Sequence, residues 1–292
     1  MARKFQKVDF VKDEFKEEIA KEEKEKSNLA SAQIDLTKKY ELPKFIIKLK
    51  NGNEWTNIGS LGNFVCITGQ AKARKSFARF FFEAAAILNR LYIDRFYINL
   101  PVGKQDVIYI DTEQGKSSVS YAAQRICKMA NKYNPSNYKV FALREYTYLE
   151  RAEMIEDIIK NNLELGILFL DGVADLAASN NDEVEGKRVA QLLMTWTSKY
   201  NICIVTVIHQ PRSHSGATGH LGSEVEKKAE SIIATKKDGN YSIIESKLIR
   251  HSADFTPFPF LINDDNIPEL IEANEQQEIE SIYKESNEET PF

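Results

Sequence analysis

Phe64-Val65-Cys66-Ile67-Thr68-Gly69-Gln70-Ala71-Lys72-Ala73-Arg74-Lys75-Ser76-Phe77 is the stretch on which the fold turns. Its first five residues form an apolar run of strand length, and small and polar residues follow. Lys75-Ser76 then opens a long segment of helical periodicity. The order matches the phosphate-loop pattern G-x-x-x-x-G-K-[ST] set between a strand and a helix. In such a loop the backbone N–H groups and the helix N-terminus point at phosphate oxygens. The lysine reaches the outer phosphates and the serine hydroxyl ligates Mg²⁺. Gly69, Gln70, Ala71, Lys72, Ala73, Arg74, Lys75, Ser76 and Phe77 are therefore the candidate ATP contacts. Arg74 stands where the pattern has its second glycine. A side chain there threatens the close approach of backbone to phosphate, although its charge suits a polyphosphate. The substitution bears on turnover more than on binding.

Outward from this loop, apolar runs recur at Val107–Ile110, Lys139–Leu143, Ile167–Leu170 and Ile202–Ile208. Between them lie segments of 3.6-residue periodicity: Ser76–Leu91, Val119–Tyr133, Leu149–Leu163 and Val184–Tyr200. The first sets Phe77, Phe80, Phe81, Ala84, Ala85 and Leu88 on one face. Continuous apolar strands alternating with amphipathic helices predict an α/β fold, a mostly parallel sheet flanked by helices. Ser231–Lys236 and Tyr241–Ile249, separated by Lys237-Asp238-Gly239-Asn240, predict a closing antiparallel hairpin. Phe255, Phe258 and Phe260, beside Pro257 and Pro259, are expected to form a core-capping edge strand rather than a platform for bases.

Composition agrees with a globular body. Of 292 residues, 42% are hydrophobic and 28% charged, which excludes wholesale disorder. No apolar run approaches the roughly 18 residues of a membrane span. Met1-Ala2-Arg3-Lys4 leads into mixed charge rather than a secretory core, so a cytoplasmic location is expected. The three cysteines, Cys66, Cys127 and Cys203, form no C-x-x-C pair, and neither a disulfide scaffold nor a zinc module is expected.

Charge divides the chain unevenly. Residues 263–292 hold ten acidic residues against Lys284 alone, a balance of -9, which leaves +5 on residues 1–262 because the whole carries -4. Three regions are expected: a charged N-terminal helix and connector over 1–43, an ATPase domain over 44–262, and an acidic, disordered tail over 263–292. Within the first, Phe10, Phe15 and Ile19 sit near helical spacing, as a thin docking seam or as part of a solvated helix.

Two further strands end on acids. Val107–Ile110 runs into Asp111-Thr112-Glu113, and Ile167–Leu170 runs into Asp171. Ligands of open α/β sheets sit at the carboxyl ends of strands, so these acids should face the phosphate loop. Asp171 fits the Mg²⁺-ordering aspartate, pairing with Ser76 as the metal ligands. Gly172 follows it, so a base next to that aspartate is ruled out. Glu113 is the natural candidate to activate water, with Asp111 and Asp175 as rivals.

This ordered set resembles the RecA/DnaB superfamily of motor ATPases, closest to the RepA-like replicative helicases of plasmids and mobile elements. The resemblance covers about residues 45–262. It implies that Asp111-Thr112-Glu113 is the element carrying the catalytic glutamate, and that His209 or Gln210 senses the γ-phosphate. It implies that Gly216–Ser223 is a DNA-contacting loop and helix start, making Arg212, His214 and His220 candidate DNA contacts. Lys247 and Arg250 resemble the Lys-x-Arg element that reaches a neighbouring subunit's nucleotide, at a spacing of three rather than two. The implied protein is an ATP- and Mg²⁺-dependent homo-oligomer, a ring or filament acting on single-stranded DNA. A nucleotide-gated binding module with little hydrolysis is the alternative reading.

Overall fold

The structure, a computed structural model, describes residues 32–210 and 219–271. The chain divides into two units, residues 1–42 and 43–292. In the first, Asp35 closes a tight turn by accepting the Thr37 N–H and hydroxyl at 3.0 and 2.7 Å. The fold proper belongs to the second.

Thirteen strands are described there. The runs read as parallel strands become β3 (Phe64–Gln70), β6 (Asp106–Asp111), β7 (Tyr138–Ala142), β8 (Leu165–Asp171) and β9 (Cys203–Gln210). They join β10 (Ser231–Asp238), β11 (Tyr241–Ile249), β12 (Phe258–Ile262) and β13 (Pro268–Leu270) in one nine-stranded sheet. Its order is β13-β12-β11-β10-β3-β9-β8-β6-β7; β10 to β7 run parallel, and β11 to β13 add antiparallel. The α/β architecture with closing antiparallel strands is as expected. Asp238 pairs with Tyr241, so Gly239-Asn240 is the two-residue turn of the hairpin.

Alternation along each strand feeds two cores. Val65, Ile67, Val107, Tyr109, Ile167 and Phe169 enter one, while Phe64, Cys66, Ile108, Ile110, Leu168 and Leu170 enter the other. Period-two side chains on a sheet covered on both faces make most mid-strand positions apolar, and buried Thr206 of β9 satisfies its hydroxyl by donating to the Leu170 carbonyl at 3.1 Å. The second core is closed by α3 (Tyr148–Lys160), α4 (Glu183–Tyr200) and α5 (Gly219–Lys228). The first receives α1 (Lys75–Leu88), α2 (Lys116–Met129) and a four-stranded sheet ordered β2-β1-β5-β4. That sheet consists of β1 (Phe45–Asn51), β2 (Glu54–Ser60), β4 (Leu91–Tyr92) and β5 (Phe96–Ile98).

This small sheet corrects the expectation for α1. The helix is not buried on one face alone: Ala78 through Ile87 are all buried. Phe81 stacks on Phe96 of β5 at 4.9 Å, Phe82 meets the same ring edge-on at 4.9 Å, and Phe81 meets Phe260 at 5.7 Å. Each such ring contributes roughly 1.5–3 kcal/mol by leaving water. The helix ends at Leu88 instead of Leu91 because Asn89 turns left-handed at φ 50° and returns its N–H to Ala86.

Two more expectations change. Phe255, Phe258 and Phe260 are buried, as expected of core residues, but β12 lies between β11 and β13 and is no edge. Acidic residues 264, 265 and 269 belong to the turn and strand that complete the sheet, because Asn263 accepts the N–H groups of Asp265 and Ile267 and organises that turn.

Candidate functional site

The carboxyl ends of β3, β8 and β6 form one crevice. Gly69, near the end of β3, lies against β10: a Cβ there would fall 2.5 Å from the Thr235 carbonyl oxygen and 2.6 Å from its hydroxyl. Only glycine fits, so the loop's first residue is fixed by packing. Lys72 and Arg74 both take left-handed backbone, with φ 67° and 63°. That conformation explains why the pattern prefers glycine at the second position. Arg74 tolerates it with its side chain turned outward, Nη1 donating to the Asn240 carbonyl at 2.7 Å in the β10–β11 turn. The guanidinium is thus tied to the hairpin.

Lys75 opens α1 and folds back over the loop. Its Nζ, buried, donates to the carbonyls of Gly69 and Gln70 at 2.9 Å each. Burial lowers its pKa, against the pull of Asp171 and Glu113. One residue on, the Ser76 hydroxyl donates to Asp171 Oδ2 at 2.8 Å. The expected metal ligands are therefore adjacent. A hydroxyl and a carboxylate suit a hard cation such as Mg²⁺. Among the described residues no group of three or more His, Cys, Asp or Glu would hold a metal unaided. A cation at Ser76 and Asp171 would take its other ligands from phosphate and water.

The three candidate bases are held differently. Asp111 is buried: Oδ2 accepts the Tyr109 hydroxyl at 2.6 Å, and Oδ1 accepts the N–H groups of Glu113 and Gln114 at 2.9 and 2.7 Å. Burial raises its pKa. Asp175 accepts the Thr112 hydroxyl at 2.9 Å, and that oxygen in turn accepts the Gly172 N–H at 2.9 Å. The Asp171–Gly172 peptide is cis. Glu113 is exposed, its carboxylate 3.6 Å from His209 Nε2 at the end of β9. Both line a cleft of about 220 Å³ with Gly172, Asp175 and Asn180. Gln210 closes β9 opposite Gln70, so both candidate phosphate sensors end the strand beside the loop.

A buried network underlies Ser76 and Asp171. Arg79, one turn after Lys75, pairs with Glu83, places Nε 3.5 Å from Asp171 Oδ2 and stacks its guanidinium 4.0 Å over the Tyr109 ring. Glu83 also accepts the Tyr138 hydroxyl at 2.7 Å. Burial pushes the Glu83 carboxyl up to about 7, opposed by Arg79. The sequence reading missed this pair. Its signal was there: opposite charges four residues apart inside an otherwise apolar helix.

The remaining candidates lie elsewhere. Lys247 and Arg250 follow β11 to the end where Ile249 pairs with Ser231, itself paired with Val65 at the start of β3. That is the end of the sheet opposite the phosphate loop. Lys247 pairs with Glu226 at 2.8 Å, and Arg250 donates to the carbonyls of Ala229 and Lys227 at 2.8 and 2.7 Å. His220 is exposed in the first turn of α5; Arg212 and His214 lie outside the described residues.

No family model matches the chain, and no curated protein matches it. Among solved structures, one described as the crystal structure of the RadB recombinase is similar, with a TM-score of 0.51 and 16% identity over 73% of this chain and 92% of that one. No helix among the described residues is long and apolar enough to cross a membrane. At this identity the likeness establishes the architecture: a RecA-like α/β fold.

Proposed function

We propose that this chain is a Mg²⁺-dependent ATPase whose turnover drives movement on DNA, helicase-like in the replication or maintenance of a mobile element. The observation that carries the reading is the convergence of Lys75, Ser76 and Asp171 at the carboxyl ends of adjacent parts of one sheet. Lys75 holds two loop carbonyls, and a triphosphate would exchange those partners for phosphate oxygens. Mg²⁺, when bound, neutralises charge on the phosphates. Glu113 is the acid whose carboxylate neither the strand ends nor Thr112 engage, and it stands beside His209. It would accept the proton of an attacking water, while His209 or Gln210 would report the γ-phosphate.

Lys247 and Arg250 sit too far from their own loop to serve it, so a role on phosphate requires a second copy of the chain. This supports the reading of a ring or filament. DNA would be met by the segment between β9 and α5, which carries Arg212 and His214, together with His220 in the first turn of α5.

The test is nucleotide binding and phosphate release, with and without single-stranded DNA. Lys75→Ala is expected to abolish ATP binding. Glu113→Gln is expected to keep binding and lose hydrolysis by ~10²–10⁴-fold. Undiminished turnover in Glu113→Gln removes the base assignment. Binding without phosphate release in the wild type favours the nucleotide-gated module, to which the left-handed Arg74 would then point.

A further inference from the structure

A broad groove lies away from the phosphate loop. It encloses about 1160 Å³ between α2 and β7. Its charged lining residues are Lys116, Lys128 and Lys132, with no carboxylate among them. Its floor is apolar, with Val119 buried and Phe141 half-buried. Lys128 already holds an acid from far along the chain: Asp265, in the turn before β13, lies 2.7 Å away.

We propose that this groove is the docking site of the chain's own acidic segment, residues 272–292. The argument is one of charge, position and reach. The segment holds seven carboxylates against one lysine, and Ile279, Ile282, Tyr283 and Phe292 are its large apolar residues. Acids beside three lysines, of which Lys116 already lies 3.5 Å from Glu145 and Lys128 2.7 Å from Asp265, and apolar side chains on an apolar floor suit both halves of the groove. The described chain ends at Ile271, directly after β13 and six residues beyond the acid that Lys128 binds. Twenty-one residues extend to about 70 Å, while α2 is about 21 Å long, so the segment covers the groove without strain. Lys116 opens α2 three residues after Glu113, so a docked segment would reach the approach to the candidate base.

Exposed ion pairs are individually weak and screened by salt, so docking of this kind is reversible and falls with ionic strength. The protein contains its own probe. Cys127 lines the groove, whereas Cys66 and Cys203 are fully buried, so thiol labelling of the native chain reads the groove alone. In the full-length protein at low salt, labelling of Cys127 is expected to be slow and independent of protein concentration. Replacing Glu275, Glu278 and Glu280 together by glutamine is expected to speed it about fivefold or more, as is adding salt to the wild type. Lys128→Glu with Lys132→Glu is expected to do the same, and lysines at the three tail positions to reverse it. The salt experiment uses unaltered protein, so a variant that fails to fold does not decide the matter. Equal labelling rates in wild type and tail variant at low salt overturn the proposal. Protection that vanishes on dilution also overturns it, because the occupant is then a second copy's segment.

Discussion

Arg79 and Glu83 carry opposite charges where neither has access to water. A buried pair of this kind is worth little against an apolar replacement but is costly to break, since the abandoned partner keeps its desolvation penalty. Arg79→Met is therefore expected to cost about 3–5 kcal/mol, read as a lower denaturant midpoint, and Arg79→Met with Glu83→Leu to recover most of it. Recovery also separates packing from site function, because Arg79 lies 3.5 Å from Asp171. Gly69, Lys75 and Ser76 stood out in the sequence because the proposed phosphate chemistry would dictate their types. Arg74 was legible as a departure, but its outcome was not. Whether its side chain enters or leaves the pocket depends on a carbonyl 166 positions further on.

At the scale of elements, the strands and helices that carry strong periodicity were readable, and α4 begins within one residue of its expected start because Asp182 caps it. β4 and β5 were not readable, being two and three residues long, too short for any period to show. Their existence depends on Phe96 finding Phe81 and Phe82. α3 shows how local chemistry sets a boundary: Thr147 and Glu150 form a reciprocal capping box at its first turn. Thr147→Ala is expected to cost about 1 kcal/mol in thermal unfolding. Hydrogen bonds from the Thr147 backbone and hydroxyl lower the pKa of Glu150. Its contribution is therefore present above the ordinary carboxylate value and lost as pH falls through the lowered one. The Tm difference between wild type and Glu150→Ala should accordingly shrink in acid.

On the whole-molecule scale, β11 joins two ends of the sheet: the turn that holds Arg74 and the end that carries Lys247 and Arg250. If sites are completed between copies, Lys75→Ala and Arg250→Ala proteins, each inactive, should regain phosphate release when mixed. Thermal melts of Arg250→Ala control for its two bonds to the end of α5. Complementation should be absent if each chain is self-sufficient. The enclosure of α1 has its own consequence. Sheet strands, the small sheet and α2 surround the helix that roots the phosphate loop, while Gly69 is wedged against Thr235 at the loop's other root. Both anchorages are set when the chain folds. An anion bound there, as proposed, would meet a loop already fixed at both roots, and the entropy of ordering it would be spent before any ligand arrives.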